Sequence, residues 1–398
     1  MTSTPDWFNV VTYGADPTGA SDSTSAITTA VSDATSAGGG VVYFPTGSFK
    51  TSGFSIAASN ISILGDGQGA SIIRLSSTTA NCITLGASGT NYQNISIKGI
   101  TLLPEGTQTG GAQIYVIDSS VIRISDLWAK GYNGIVIDST QYESTCRIDN
   151  FYMQSCSNAG ICIGPSSAST AAPVDTYISN GTIAQCGTGL LIQNGSGVYA
   201  NAVDILKGSS GVSLNPASNQ TANSCFFNQV LTDTQTGTGW TLGGSGNLSE
   251  IIMNSCWAAS SSGSSGINIT NSSANGILIE NCNVHNNYEY GIIISAGTNI
   301  NISNNMVFMN STIGSGTYHG IAVAPNLSGF QITGNISGKG GYFSDVGNTN
   351  NQGYGIIVNS GSSNNYIIQN NRCPSNVTGG VSDAGTGTLK YVGNNLSS

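Results

Sequence analysis

Charged side chains are rare in this 398-residue sequence, so each carboxylate and each histidine is a candidate for chemistry. Asp, Glu, Lys and Arg together make up 7% of the residues, against about a quarter in an ordinary protein. There are 19 acidic residues and 2 histidines, His285 and His319. Cleavage of a glycosidic bond needs two carboxylates, one as a general acid and the other as a base or nucleophile. Paired carboxylates close to an imidazole are therefore the first candidates.

The central candidates are Asp204 and Asp233, each a few residues before a glycine that begins an apolar segment. On successive turns of a solenoid, such carboxylates would lie close enough to act as a catalytic pair. Lys207, Trp240 and Trp257 are near them in sequence and are candidates for binding a substrate. The two aspartates could instead serve only as turn caps, and that alternative stays open.

A second group of candidates surrounds the two histidines. We predict that Glu289 is the general acid, with Asp233 or Asp345 as the second carboxylate. His319 would orient the acid or bind a sugar hydroxyl, and His285 would contribute to substrate binding. A plain surface pair of Glu289 and His319 is the alternative.

Three aromatic side chains in this region each stand directly before a glycine. Tyr290, His319 and Tyr354 share that position in successive repeats, so we predict that they form one column on the exterior. An aromatic column beside carboxylates is a plausible platform for stacking sugars. The longest interval between repeats adds a loop, residues 338–351, that contains Asp345. Functional residues often lie on such loops.

A repeated apolar segment that begins with glycine must position these side chains. Consecutive glycines of the series lie 22 residues (Gly189 to Gly211) to 35 residues (Gly320 to Gly355) apart. The series is Gly134, Gly160, Gly189, Gly211, Gly239, Gly266, Gly291, Gly320, Gly355 and Gly380. Alternating apolar residues after each glycine indicate short strands with one buried face.

A second series, in phase with the first, has an apolar residue, any residue, and then Asn or Asp. Its members end at Asp126, Asn150, Asn180, Asn254, Asn281, Asn304 and Asn370. Each repeat therefore carries at least two strands and a polar corner. One repeat cannot bury its apolar face alone and must stack on its neighbours. We predict an all-β fold, a right-handed parallel β-helix of about twelve coils.

The N-terminal segment predicts a cap for this solenoid. Asp22 can begin a helix near residues 22–37, whose apolar stripe would cover the open end. We divide the chain into a cap with its first strand, residues 1–50, and a β-helix, residues 51–398.

Residues 8–19 (FNVVTYGADPTG), 21–27 (SDSTSAI) and 38–47 (GGGVVYFPTG) resemble the opening of the pectate-lyase-like β-helix superfamily. That superfamily includes bacteriophage tailspike depolymerases and many polysaccharide hydrolases and lyases. The resemblance implies an extracellular or virion location, in a phage tail, and a homotrimer. It marks the start of the helix and not the active site, so it assigns no catalytic residue.

Composition excludes several other classes of function. The formal net charge of −9 leaves no basic stripe for nucleic acid, and it disfavours a strongly anionic polymer. No long apolar run could span a membrane, and residues 1–6 show no signal peptide. The nine cysteines form no CxxC pair, so we expect buried thiols and no metal site. We expect no cofactor.

These features favour a glycoside hydrolase that cleaves a bacterial capsular or exopolysaccharide, neutral or weakly charged. A polysaccharide lyase is the rival enzyme. β-Elimination from a uronic acid needs cations to neutralise its carboxylate, yet Lys207 is the only Lys or Arg between Arg147 and Lys339. A non-catalytic carbohydrate-binding or structural spike is the third possibility.

Overall fold

The protein is described from a computed structural model, which covers residues 7–166, 171–339 and 351–397. Within these ranges the chain forms a parallel β-solenoid of about thirteen turns, with one α-helix near the N-terminus. The predicted fold class is therefore confirmed, with about one coil more than predicted. The chain divides into two compact units, residues 1–198 and 199–398.

The first unit begins with the strand Trp7–Asn9, the short 3-10 helix Val10–Tyr13 and the α-helix Thr24–Ser36. The strands that follow the glycine series, and the earlier strands that pair in line with them, form one sheet, which we call the glycine-led sheet. In the first unit it consists of Phe54–Ile56, Ile83–Gly86, Ala112–Ile117, Asn133–Asp138, Ala159–Ile163 and Thr188–Ile192. The other large sheet of the first unit consists of Trp7–Asn9, Gly40–Phe44, Gly47–Thr51, Ile61–Gly65, Ser71–Leu75, Ser96–Pro104, Ile122–Ala129, Cys146–Gln154 and Val174–Ala184. Tyr92–Gln93 and Ser119–Ser120 form a small separate pair.

The second unit repeats the same plan. Its glycine-led sheet consists of Ser210–Leu214, Trp240–Leu242, Ile267–Ile269, Ile292–Ile294, Ile321–Val323, Tyr354–Gly361 and Gly379–Gly385. Its other sheet consists of Gly195–Leu206, Thr221–Asp233, Asn247–Asn254, Trp257–Ala259, Ala274–Glu280, Asn283–His285, Thr298–Ser303, Met306–Phe308, Ser328–Thr333, Ile336–Ser337, Asn364–Gln369 and Lys390–Gly393.

Stacking in register builds a continuous apolar core. Ile267 pairs with Ile292, which pairs with Ile321 in the next turn, and all three side chains are buried. Each turn therefore buries its apolar face against the next one, as the repeat pattern predicted.

The predicted Asn/Asp corners are present. Six of the seven residues in that series have left-handed backbone, for example Asn281 with φ 55° and Asn304 with φ 57°. At the seventh, Asn254, the left-handed residue is the next one, Ser255, with φ 54°. Short polar side chains tolerate this conformation better than most residues, which explains why the sequence pattern located the corner.

A buried ladder of amide side chains follows the corner in the second unit. Asn305 donates through Nδ2 to Oδ1 of Asn335 (3.0 Å), Asn335 donates to Asn371 (2.9 Å), and Asn371 donates to Asn395 (3.0 Å). The ladder links four successive turns through groups that would otherwise be unsatisfied inside the protein.

The N-terminal helix caps the first unit as predicted. Its residues Ile27, Ala30, Val31 and Ala34 are buried. The Asp22 carboxylate accepts a hydrogen bond of 2.9 Å from the Thr24 amide, just before the first turn.

All nine cysteines lie in the described residues, where they are buried thiols and not disulfides. Burial raises the pKa of the Cys82 thiol to about 12, so it serves as a small apolar side chain.

Candidate functional site

Asp204 and Asp233 lie on neighbouring strands of the second unit. Asp204 is near the end of Gly195–Leu206, and Asp233 is the last residue of Thr221–Asp233, which pairs with that strand. Both side chains are partly buried. Burial raises the pKa of Asp204, and the charge of Asp233 raises it further. The structure thus brings the two central candidates together in an environment that keeps a proton on Asp204 at higher pH.

Hydrogen bonds from two residues hold the backbone carbonyl of Asp233. The Asp233 carbonyl accepts hydrogen bonds from the Lys207 amide (3.1 Å) and from Nε2 of Gln235 (3.2 Å). Gln235 is fully buried and also donates to the Ile205 carbonyl at 2.9 Å. Within the described part of the chain, Asp233 Oδ1 is shielded from water and has no hydrogen-bond partner. A buried oxygen without a partner is explained by strain, by an ordered water or by a catalytic role.

His285 belongs to the same side of the solenoid as Asp233. In register, Asp233 pairs with Ala259, Ala259 with His285, and His285 with Phe308. Burial lowers the pKa of His285, and the negative charge of Asp233 partly offsets that effect. His285 is therefore a neutral imidazole at neutral pH. Its ring stacks on Phe308 with centroids 4.9 Å apart.

The two tryptophans of the central group have different positions. Trp257 is partly exposed, and its ring meets His285 edge to face at 5.3 Å. Trp240 is fully buried against Phe227, and its Nε1–H donates to the Trp257 carbonyl at 3.0 Å. The assignment of Trp240 to substrate binding was therefore wrong, because its side chain faces the core.

Lys207 is exposed and has left-handed backbone, with φ 57°. Its contact with Asp233 is made by the backbone amide. The structure therefore gives Lys207 a place in the turn beside the aspartates, while its role in substrate binding stays a prediction.

Glu289 has a separate set of partners. Oγ of Ser265 donates to Glu289 Oε2 at 3.4 Å. The charge of Glu289, followed by burial and a hydrogen bond to this same carboxylate, raises the pKa of Tyr318. Tyr318 in turn packs edge to face on Tyr290, with centroids 4.8 Å apart. Glu289 thus lies beside the aromatic column.

The predicted column of Tyr290, His319 and Tyr354 is present. The centroid of the His319 ring lies 5.9 Å from that of Tyr290 and 5.6 Å from that of Tyr354. Nδ1 of His319 accepts a 3.1 Å hydrogen bond from the Tyr354 amide, which places the proton of the neutral ring on Nε2. Burial lowers the pKa of His319, so the neutral form prevails at neutral pH. All three rings are partly exposed.

Asp345, the alternative second carboxylate, lies outside the described residues. Within those residues, no group of three or more His, Cys, Asp and Glu side chains is placed to hold a metal ion.

A cluster in the first unit escaped the sequence reasoning. The Tyr115 hydroxyl donates to Oδ2 of Asp138 at 2.9 Å, and burial followed by the Asp138 charge raises the pKa of Tyr115. Burial opposes ionisation of Asp118, but hydrogen bonds, above all from Thr140, outweigh it and lower the pKa of Asp118 to about 2. Both aspartates follow an isoleucine at the end of a glycine-led strand, and that shared position was the available signal. The many donors to Asp118 indicate that it organises a turn.

Residues 7–258, more than half of the chain, match a family described as rhamnogalacturonase A/epimerase, pectate lyase-like. A mannuronan C5-epimerase, AlgE3 of Azotobacter vinelandii, is 35% identical over 105 residues, 24% of this chain and 6% of the relative. Alginate lyase 7 of the same organism is 40% identical over 75 residues, 17% of this chain and 9% of the relative. The matched segments thus span a small part of these relatives.

Solved structures share the fold along the whole chain. The A-module of the Azotobacter vinelandii mannuronan C-5 epimerase AlgE6 superimposes with a TM-score of 0.63 at 15% identity, covering 98% of both chains. A double mutant of the tailspike of Escherichia coli bacteriophage HK620, in complex with a pentasaccharide, gives a TM-score of 0.61 at 10% identity. That match covers 97% of this chain and 80% of the tailspike. Among the described residues, no helix is both long and apolar enough to cross a membrane.

Proposed function

Because the chain belongs to the rhamnogalacturonase A/epimerase, pectate lyase-like family, whose β-helix enzymes act on polysaccharides, we propose that it is a glycoside hydrolase with Asp204 and Asp233 as its catalytic pair. The observation that carries this proposal is the position of two partly buried carboxylates on neighbouring strands. Burial and the Asp233 charge raise the pKa of Asp204. A carboxyl group that keeps its proton beside a second carboxylate is what the acid of a glycosidase requires.

In this mechanism Asp204 donates its proton to the glycosidic oxygen as the bond to the anomeric carbon breaks. The Asp233 carboxylate acts as base or nucleophile. Water supplies the hydroxyl group of the new reducing end. With Asp233 as base, Asp233 accepts the remaining proton of that water; with Asp233 as nucleophile, Asp204 accepts it when water displaces the sugar from Asp233. Trp257, which is partly exposed, packs edge to face on His285 and offers the ring near Asp233 on which a sugar can stack. His285 itself is only 8% exposed, so it supports Trp257 from below and does not contact the sugar.

The charges around this pair favour a neutral or weakly charged bacterial capsular or exopolysaccharide. The negative charge of Asp233, with a neutral imidazole nearby and a proton on Asp204, repels a chain of uronates. The nearby cation, Lys207, contacts Asp233 through its backbone.

A uronate lyase or epimerase is the second candidate, because the curated relatives are mannuronan epimerases and an alginate lyase. Incubation with capsular polysaccharides and with alginate separates the candidates. Hydrolysis yields reducing ends without ultraviolet absorbance from unsaturated uronates. Reducing ends together with that absorbance would identify a lyase, and a changed uronate composition without cleavage would identify an epimerase. Binding without any reaction would identify a carbohydrate-binding spike.

We also propose that the protein acts outside the cell or on a phage particle, as a homotrimer. The tailspike likeness in fold supports this proposal. Light scattering at micromolar concentration should give three times the mass of the 40.5 kDa chain, and a monomer mass would contradict it.

Replacing Tyr354 with alanine should raise KM for the polysaccharide by about tenfold and leave kcat almost unchanged, because one ring of the stacking column is lost. The Tyr354 amide that holds His319 is retained. Tyr391→Ala is the control, since that exposed tyrosine lies outside the column. Equal KM values for the two variants would remove the column from substrate binding.

Glu289→Gln should keep more than about a tenth of wild-type turnover. Glutamine can still accept from Ser265 and contact Tyr318, so the aromatic column stays in place. Initial rates of reducing-end release test this expectation. A loss of about a hundredfold or more would instead make Glu289 the general acid, as the sequence first suggested.

A further inference from the structure

A cleft in the first unit combines an aromatic ring with two N–H groups that have no hydrogen-bond partner within the described residues. It has a volume of about 580 Å³ and is lined by Glu105, Gln108, Trp128, Lys130 and Gln154, among others. All of these residues lie in the first unit, whereas the catalytic pair proposed above lies in the second.

Trp128 supplies a platform in this cleft. It pairs in register with Tyr152 on the next turn, and the centroids of the two rings are 6.4 Å apart. Both rings are partly exposed. Side by side on the outer face of a sheet, they offer an apolar surface of the kind that the C–H face of a sugar ring covers.

Gln108 is held in one orientation at the edge of the platform. Its Oε1 accepts from Nε2 of Gln113 (2.7 Å) and from the Tyr132 amide (3.2 Å). Only 4% of Gln108 is exposed. Within the described part of the chain, its Nε2 has no hydrogen-bond partner, and neither does Nε1 of Trp128. Two buried N–H donors beside one aromatic platform are costly unless something accepts from them.

The electrostatics of the cleft admit a hydroxyl-rich ligand. Lys50 at 2.9 Å and Arg74 at 3.7 Å face the Glu105 carboxylate, and exposed Lys130 also lines the cleft, so its charges repel neither a neutral nor an acidic sugar. The two orphan donors need oxygen acceptors, and sugar hydroxyls can accept as well as donate. A pyranose ring therefore satisfies both the platform and the donors.

We propose that this cleft is a second, non-catalytic carbohydrate-binding site, in which one pyranose unit packs on Trp128 and accepts hydrogen bonds from Trp128 and Gln108. The site serves binding of a polysaccharide and does not require that the chain hydrolyse it. Its failure and the failure of the hydrolase proposal can therefore be told apart.

Fluorine NMR of the full chain labelled with 5-fluorotryptophan tests the proposal, because the sequence has 4 tryptophans. The Trp128 signal is the one that disappears in Trp128→Phe. Methyl glucoside, methyl mannoside, methyl galactoside and methyl rhamnoside are each titrated. A ligand of this size should saturate the Trp128 signal with a Kd of about 1 mM, rising to about 100 mM for an imperfect match. The Trp7 signal, from a side chain that is 52% exposed, should not move.

A second variant tests whether the change in the Trp128 signal comes from sugar bound in the cleft or from a conformational change elsewhere. Gln108→Glu keeps the acceptor oxygen for Gln113 and Tyr132 but replaces the Nε2 donor with oxygen, so it should weaken sugar binding by at least about tenfold. Absence of any saturable change at Trp128 with all four glycosides would overturn the proposal. So would equal shifts at Trp7 and Trp128, or unchanged binding in Gln108→Glu with a native melting curve.

Discussion

Replacing Asp204 with asparagine should lower kcat for polysaccharide cleavage by about a hundred- to ten-thousand-fold, because the variant cannot donate the proton that the leaving oxygen needs. Asp233→Asn should have an effect of similar size, since the base or nucleophile is lost. Asparagine has almost the same shape as aspartate, so binding and folding should survive. Reducing-end release, binding to the polysaccharide and a thermal melt measure these three properties.

The pH dependence of the wild-type rate follows from the same environment. Asp204 must carry a proton to act as the acid, so its raised pKa moves the alkaline fall in rate to higher pH than an ordinary aspartate would give. Asp233→Asn removes one cause of that shift, and the pKa of Asp204 should then fall. Carboxyl NMR titration of Asp204 in the two proteins measures the difference directly.

The linked effect on stability has a definite sign. Because the folded pKa of Asp204 is raised, the carboxyl favours folding at low pH and loses that contribution as the pH rises through the folded value. Asp204→Asn should therefore flatten this part of the stability curve and be more stable than wild type at neutral pH.

The matched control is Asp149→Asn, an exposed aspartate in the first unit that bonds to Ser179 and Asn180. It should keep wild-type activity. An Asp204→Asn protein that folds and retains more than about a tenth of the wild-type rate would exclude Asp204 as the acid.

Asn335→Ala should reduce the free energy of unfolding by about 3 kcal/mol or more, because it breaks the middle of the buried amide ladder. The side-chain Nδ2 of Asn335 donates to the Ile302 carbonyl at 3.0 Å and to Oδ1 of Asn371 at 2.9 Å. The side-chain Oδ1 of Asn335 accepts from the backbone amide of Asn305 at 2.9 Å. The substitution leaves these buried groups without partners, and water cannot reach them. Urea unfolding followed by circular dichroism gives the change.

Asn254→Ala is the control for the ladder. Asn254 also bonds to amides on both neighbouring turns, Asn228 at 3.1 Å and Asn281 at 3.0 Å. It is only partly buried, so water replaces the lost bonds and the cost should stay below about 1 kcal/mol. Equal losses for the two variants would mean that burial of the ladder does not stabilise this solenoid.

The repeat made most of the fold predictable, because each turn uses the same local rules. The glycine before a strand lies where a Cβ atom would collide with the next turn, as at Gly134 and Gly211, where it would come within 2.4 Å of a carbonyl oxygen. The Asn or Asp at the corner reports left-handed backbone. The extra turn begins with Phe54–Ile56, a strand of three residues that is too short to stand out in the sequence. A strand of that length becomes recognisable only through its pairing with Ile83–Gly86.

The candidate site was harder to predict, because side-chain direction depends on single residues. His285 and Glu289 are four residues apart, but Asn286 has left-handed backbone with φ 57°, so the chain turns between them and their contacts differ. Trp240 occupies the inward phase of its strand, paired with buried Ile267. Trp257 occupies the outward phase next to buried Ala258. The alternation of inward and outward side chains along a strand could have predicted that Trp240 is buried and Trp257 is not. The contacts of Asp233 and Glu289 could be identified only from the structure.

Cleavage in water enriched in oxygen-18, followed by mass spectrometry of the products, is the most direct test of the proposed hydrolysis. The wild-type protein should release fragments that have each gained one water, with one heavy oxygen at the new reducing end, and Asp204→Asn should release almost none. Fragments that carry an unsaturated sugar and no heavy oxygen would contradict hydrolysis and show β-elimination instead.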